Sequence, residues 1–261
     1  MDLQETPDVE AAPPTDVFRR GGFSRVLDLI YPPSCALCSE GLRDGRSLCS
    51  PCRESLPRLT APFCSVCGEG FDGLIDGAFE CPNCRDLNFA FEFARPALFY
   101  DERAMGLIHR LKYSREVHVA RELGSLATEA FEDPRLAEAR SGNWPLIPVP
   151  LHRSRFQHRH FNQSAEIARV LAIATGLPML KALKRIRRTE TQTRLSRSQR
   201  LANLRAAFAM TGAGLKFSAA KPDGAVIVDD VFTTGSTVHE CARVLRRAGG
   251  QKVVVVTVMR G

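Results

Sequence analysis

Two stretches of the chain hold residues whose types and spacing can do chemistry. The first runs Val226, Ile227, Val228, Asp229, Asp230, Val231, Phe232, Thr233, Thr234, Gly235, Ser236, Thr237. Its apolar start suits a strand buried on both faces of a parallel sheet. The two carboxylates fall where that strand is expected to end. A hydroxyl-rich turn then leads into a helical pattern of Val238, Cys241, Ala242, Leu245 and Ala248, closed by Gly249 and Gly250. A loop entering a helix N-terminus aims several backbone N–H groups at one spot, which with the helix dipole attracts a phosphate. Thr233, Thr234, Ser236 and Thr237 add hydroxyls, and Gly235 lets the backbone come close. Asp229 and Asp230 would repel that phosphate, so they are expected to face vicinal hydroxyls or a divalent metal. The implied ligand is a sugar with a phosphate at one end and a diol on its ring. The competing reading is a plain strand-to-helix turn whose Thr and Ser residues are helix caps.

The second stretch carries eight of the nine cysteines as four pairs: Cys35 and Cys38, Cys49 and Cys52, Cys64 and Cys67, Cys81 and Cys84. Each Cys-x-x-Cys knuckle offers two thiolates to one metal, and two knuckles complete a tetrahedral zinc site of four cysteine thiolates. The set is enough for two structural Zn2+ ions. Sequential pairing leaves loops of ten and 13 residues between knuckles; an interleaved pairing is the alternative. So small a segment builds little core, so metal binding, about 10–16 kcal/mol per structural site, is what should fold it. Its core is expected to be separate from that of the following domain. The ninth cysteine, Cys241, lies on the apolar face of its helix and reads as a core residue.

The elements that must position these groups are legible in outline. A strand is expected over Ala94 to Tyr100, a helix around Met105, Leu107, Ile108 and Leu111, and another from about Val117 to Phe131. Residues 145–150 form a short proline-bounded strand. A basic loop with Arg153, Arg155 and Arg159 follows, and then a helix capped by Asn162 or Ser164 and ending at Gly176. The chain finishes in a β-branched strand, Gln251 to Val258. Strands and helices in alternation point to a Rossmann-like parallel sheet.

The Asp229–Thr237 pattern closely resembles the signature of type I phosphoribosyltransferases, which bind phosphoribosyl pyrophosphate (PRPP) with Mg2+. The resemblance implies that Thr233, Thr234, Gly235, Ser236 and Thr237 bind the 5′-phosphate and that Asp229 and Asp230 hold the ribose hydroxyls. A narrower resemblance runs from about residue 24 to 260. Pro148 to His152, Arg159 to Ser164, Arg188 with Thr189, Gln192, Leu195, Arg200, Asn203 and Phe208, the triplet Leu111, Lys112, Tyr113, and the cysteine pairs all resemble the ComF family. That family joins a double zinc ribbon to a type I phosphoribosyltransferase domain. It is associated with natural competence, the uptake of single-stranded DNA seen from the cytoplasmic side of the inner membrane. A disordered tail is expected over 1–22 from its composition, and the resemblance implies a double zinc ribbon over 23–88 and a phosphoribosyltransferase-like domain over 89–261. It also implies that Arg155, Arg159, Asn162 and Gln163 form the pyrophosphate side of the site. No nucleobase-reading hood is recognisable.

Charge sharpens the list of partners. The chain of 261 residues carries a net +7. Between Leu151 and Lys216 stand 14 Lys and Arg against two acids, a balance of +12, which leaves the remainder at −5. Such a segment suits phosphates, pyrophosphate or a nucleic-acid backbone. Arg185, Arg187 and Arg188 are the candidate nucleic-acid contacts, on exposed backbone that serves either as a lid over PRPP or as a track for single-stranded DNA. A short helix is expected from Phe23 to Leu29. The first 16 residues hold five acids, three prolines and no Lys or Arg, unlike the basic start of a signal peptide. With no apolar run of about 18 residues, the composition points to a cytoplasmic protein. Three functions remain: a competence accessory protein with a PRPP-type site that works beside the DNA-uptake machinery, an active phosphoribosyltransferase of unknown acceptor, or a zinc-ribbon adaptor with a non-catalytic site. No residue is assigned as catalytic.

Overall fold

The computed structural model describes residues 33–42, 46–71, 73–75, 77–85, 87–187, 204–249 and 252–261. The acidic tail, the helix expected from Phe23 to Leu29, and Arg188 with the cations that follow it up to Arg200 lie outside the described residues.

Two short helices belong to the cysteine segment, α1 (Ser50–Glu54) and α2 (Pro82–Arg85). Strand β1 (Ala94–Leu98) then leads to α3 (Glu102–Tyr113) and α4 (Val119–Thr128). Helix α3 starts where the Asp101 carboxylate accepts from the N–H groups of Arg103 and Ala104, and it buries Ala104, Leu107, Ile108 and Leu111. The short α5 (Ala137–Ser141) precedes β2 (Leu146–Pro148). Residues expected to loop after β2 form α6 (Arg153–Arg159) instead. The His152 side chain accepts from the Ser154 N–H at its start, and His160 ends it in the left-handed region at φ 66°. A local cap and the lack of Gly or Pro inside the run suffice for two turns. Helix α7 (Gln163–Thr175) is capped by Asn162 and closed by Gly176 at φ 75°, as its sequence predicts.

A hairpin of β3 (Leu183–Arg185) and β4 (Phe208–Met210) stands apart from the main sheet. After α8 (Gly212–Ala219) come β5 (Gly224–Phe232), α9 (Ser236–Arg247) and β6 (Lys252–Arg260). The main sheet has the order β1-β6-β5-β2, and every pairing in it is parallel. The α/β expectation therefore holds. One detail does not: β5 continues through Asp229 and Asp230 to Phe232, with Asp229 opposite Thr257 and Phe232 opposite Arg260. The long β6 offers a pairing partner that far, so the acids sit inside the ladder.

Alternation along β5 and β6 divides the interior in two. Val226, Val228, Val254 and Val256 face one core with α3, α4 and α7; Ala225, Ile227, Val253 and Val255 face the other with α9. The cysteine segment joins both. Cys35, Leu48, Cys49 and Leu56 pack in the first core, and Cys64, Cys67, Cys81 and Cys84 in the second. The expectation of a separate ribbon core is thereby corrected: the ribbons are too small to bury their own apolar side chains and share those of the sheet.

Candidate functional site

The acid pair sits at the C-terminal edge of the parallel sheet, where crevices for ligands form in such folds. Asp229 and Asp230 are buried. Asp229 Oδ1 accepts from Ser164 Oγ at 2.8 Å and from the Asp230 N–H at 3.0 Å. Asp230 Oδ1 accepts from the Val231 N–H at 2.9 Å, and its Oδ2 lies 2.6 Å from Lys112 Nζ. Burial first, and then the adjacent negative charge of Asp230, push the Asp229 carboxyl up to about 7. Burial works against the Lys112 ammonium, but the two carboxylates outweigh it and hold its pKa above the ordinary value.

Beyond Phe232 the chain turns through Thr233 and Thr234 to Gly235, whose φ of 75° favours glycine. A Cβ there would stand 2.6 Å from the Phe232 ring, so the turn is packed as well as bent. Gly235 is the N-cap of α9, and no side chain hydrogen-bonds as its cap. The Thr234 and Ser236 hydroxyls bond one another at 2.9 Å. With glycine at the N-cap position, the cap residue itself has no side chain to bond the first N–H groups of α9. Arg260 fixes the loop from the neighbouring strand, donating to the carbonyls of Phe232 at 3.0 Å and Thr233 at 2.9 Å. It also pairs with Glu69 of the second knuckle segment.

The expected pyrophosphate residues divide. Arg159 donates to Gln163 Oε1 at 3.2 Å and lies 5.1 Å from the centre of the Tyr113 ring, on the Lys112 side of the site. Asn162 ties β2 to α7 by donating to the Val149 carbonyl at 2.9 Å and accepting from the Ser164 N–H at 3.1 Å. Arg155 instead neighbours Arg185; burial first, and then that like charge, lower the Arg185 guanidinium pKa, against the opposing pull of Asp229. Arg185 stacks over Phe208 at 5.3 Å and is only partly exposed, so it is not the free surface cation that its sequence context indicates. Arg187 is exposed, donating to the Arg205 carbonyl at 2.9 Å. A cleft of about 1040 Å³ opens between α6, α7 and β3, lined among others by Arg153, Phe156, His160, Lys181, Lys184 and Arg185. Cys241 is fully buried and its thiol pKa is raised by burial, as suits a core residue.

The cysteines resolve into sequential sets. Cys35, Cys38, Cys49 and Cys52 bring their sulfurs within 4.8 Å of one another, as do Cys64, Cys67, Cys81 and Cys84; the interleaved alternative is excluded. Cys38 and Cys49 Sγ stand 3.7 Å apart, and Cys67 and Cys81 Sγ 3.6 Å. A tetrahedron with Zn–S bonds of about 2.3 Å requires sulfurs about 3.8 Å apart. The Cys49 and Cys81 N–H groups donate to Cys35 and Cys64 Sγ, which stabilises thiolate ligands. Both sets fit a structural Zn2+ ion. The acid pair does not fit Mg2+ in the same way, because two of its four oxygens accept hydrogen bonds from the protein and a third lies against the Lys112 ammonium.

Residues 26–86 match the family model of the double zinc ribbon domain. Over 237 residues the chain is 32% identical to the DNA utilization protein YhgH of Salmonella typhi, covering 87% of this chain and 96% of that one. The chain belongs to the ComF family. Other members include Competence protein F of Haemophilus influenzae, 29% identical over 223 residues (85% of this chain, 94% of the relative), and Competence protein ComFC of Bacillus subtilis, 22% identical over 215 residues (80% and 81%). Within this ComF chain, no helix of the described residues is long and apolar enough to cross a membrane.

Three site residues escape the sequence reading: Ser164, Arg260 and Lys112. Ser164 is a candidate cap by its position, and its hydroxyl in fact serves Asp229. Lys112 enters only as one letter of a family triplet. A cation in the last turn of a helix that follows a sheet strand is the available signal, and it is a weak one.

Proposed function

We propose that this ComF chain is a competence accessory protein that binds a ribose 5-phosphate-type ligand, PRPP in its fullest form, and serves the uptake of single-stranded DNA from the cytoplasmic side. The observation that carries the ligand is the β5–loop–α9 unit: a glycine N-cap without a side-chain cap, hydroxyls gathered at the helix start, and a buried acid pair one strand-end away. The helix N-terminus would take the 5′-phosphate, and the hydroxyls of Thr233, Thr234, Ser236 and Thr237 would supplement its N–H groups. Asp229 and Asp230 would accept hydrogen bonds from the ribose diol. Arg159, Asn162 and Gln163 would take the pyrophosphate of PRPP, with Arg155 further out along α6. Mg2+, when PRPP brings it, would neutralise that pyrophosphate. The DNA-related role is supported by the competence and DNA utilization names of relatives that align over most of the chain.

An active transferase is the second reading, favoured by the cleft beside α6, which offers room for an acceptor and is lined in part by Asn162 of the expected pyrophosphate side. It predicts pyrophosphate release from PRPP once the right acceptor is present. The binding reading is tested by titration calorimetry with ribose 5-phosphate. The native chain should bind saturably, and Thr234→Val should weaken binding by roughly ten- to a hundredfold, the value of one hydrogen bond to a charged group. Equal affinity of the variant and native chains would show that the phosphate lies elsewhere.

A further inference from the structure

Lys112 has no role in the reading above, yet it holds a central place in the site. It stands in the last turn of α3, where the helix dipole favours a cation. Its side chain is 19% exposed and that of Asp230 7%, so their 2.6 Å contact is not a surface ion pair. Burying an ammonium is costly unless an acid meets it, and the fold secures the meeting. Helix α3 is fixed at its start by Asp101 and near its end by Arg110, which grips Glu116 at 3.0 Å and the Ala36 carbonyl of the first knuckle. Lys112 is thus presented to Asp230 by a helix anchored at both ends.

A divalent cation on the same acids would compete with this arrangement. Mg2+ needs about six oxygen ligands in octahedral order. Asp230 Oδ1 and Oδ2 and Asp229 Oδ1 already face Val231 N–H, Lys112 and Ser164. A metal there would also lie beside an ammonium. Yet the acids need a cation, because a phosphate-bearing ligand must approach them.

We propose that Lys112 is the resident counter-cation of the acid pair, occupying at Asp230 the place of a divalent metal, so that a ribose 5-phosphate-type ligand binds without metal on the acids. The proposal deepens the phosphoribosyl reading and rests on it for the ligand. Lys112 neutralises one carboxylate and leaves the pair able to accept from ribose hydroxyls. Its charge, with that of Arg159 nearby, also faces the pyrophosphate side. Any Mg2+ would then travel with the pyrophosphate of PRPP and not with the protein.

The test uses the full chain in buffer passed over a chelating resin, since a soluble chelator would also draw zinc from the ribbons. Ribose 5-phosphate should bind the native chain with an affinity that changes by less than about twofold when millimolar Mg2+ is added. Lys112→Gln should lose about tenfold or more in metal-free buffer and regain most of it with Mg2+. Electron paramagnetic resonance with Mn2+ and no sugar gives an independent reading. Lys112→Gln should take up Mn2+ that the native chain does not, and adding Asp230→Asn should abolish the uptake. Mg2+-dependent binding by the native chain, or native Mn2+ uptake that Asp230→Asn removes, would overturn the proposal; neither measurement depends on the folding of the lysine variant. If ribose 5-phosphate fails to bind under any condition, the phosphoribosyl reading falls, while the Mn2+ comparison still decides the role of Lys112.

Discussion

Asp229 pays for its position with a proton. Its carboxyl is buried beside Asp230, and its pKa rises to about 7 from an ordinary carboxylate value. The folded chain therefore holds that proton to higher pH than the unfolded chain does. The stability tied to it is present in full below about pH 4 and is lost as pH climbs through 7. Lys112 and the Ser164 hydroxyl soften the penalty but do not cancel it. Asp229→Asn keeps the shape and removes the charge. Its stability relative to the native chain should rise between about pH 4 and 7 and level off above, by on the order of a few kcal/mol at the upper end. Melting temperatures of the two chains across that range measure it. A difference that stays flat would mean that Asp229 is not the group that titrates. At this scale the site was half legible. The acids, the hydroxyls and Gly235 stand in one run and betray themselves by spacing. Lys112, Ser164 and Arg260 lie on three other elements, and no local pattern joins them to Asp229.

At the scale of elements, strands and helices declared themselves where an apolar period was long. Helix α9 and strand β6 are the clearest cases, with Val238, Cys241, Ala242 and Leu245 on one face and an unbroken run of buried valines. Sequence and structure part where tertiary pairing or a single cap decides. Strand β5 outran its apolar stretch because β6 was there to pair with it, and α6 formed because His152 caps it. The β3–β4 pair leaves no mark in the sequence, since three-residue strands offer almost no alternation to detect. It matters for nucleic acid because it carries Lys184 and Arg187 on exposed backbone, while Arg185 turns inward to Phe208. A track for single-stranded DNA should therefore depend on the outward cations. Lys184→Ser with Arg187→Ser should lower affinity for a labelled oligonucleotide without unfolding the chain. It should also flatten the dependence of log K on log salt by up to about 1.4, two phosphate contacts at about 0.7 each. Fluorescence anisotropy over a salt series measures both effects. An unchanged slope would remove these cations from the DNA contact.

At the scale of the whole molecule, the two zinc ribbons are parts of the sheet's packing and not an appendage. The first contributes Leu48 and Leu56 to the core under α3 and α4, and Arg53 and Arg58 bind Glu129 beside that core. The second places all four cysteines among Ile227, Val253 and Val255, and its Glu69 reaches Arg260, which in turn holds the carbonyls of Phe232 and Thr233 at the head of the hydroxyl-rich loop. Sequence spacing announced the metal sites but said nothing of what they would lean on, because packing partners carry no periodic mark. The consequence is cooperative. Cys64 is fully buried, and Cys64→Ser removes a zinc ligand from inside the second core. Structural zinc contributes about 10–16 kcal/mol where it folds an isolated finger, and here part of that support passes to the sheet. The variant should unfold in one transition, lowered by on the order of 10 °C, since each kcal/mol moves the melting point of a chain this size by about 2–4 °C. Trp144, the single tryptophan, is buried in the first core and so reports on the far side of the sheet from Cys64. Its fluorescence should shift at the same temperature as the calorimetric peak. If it instead keeps the native transition while the ribbon melts early, the two parts fold independently and the shared packing carries little of the stability.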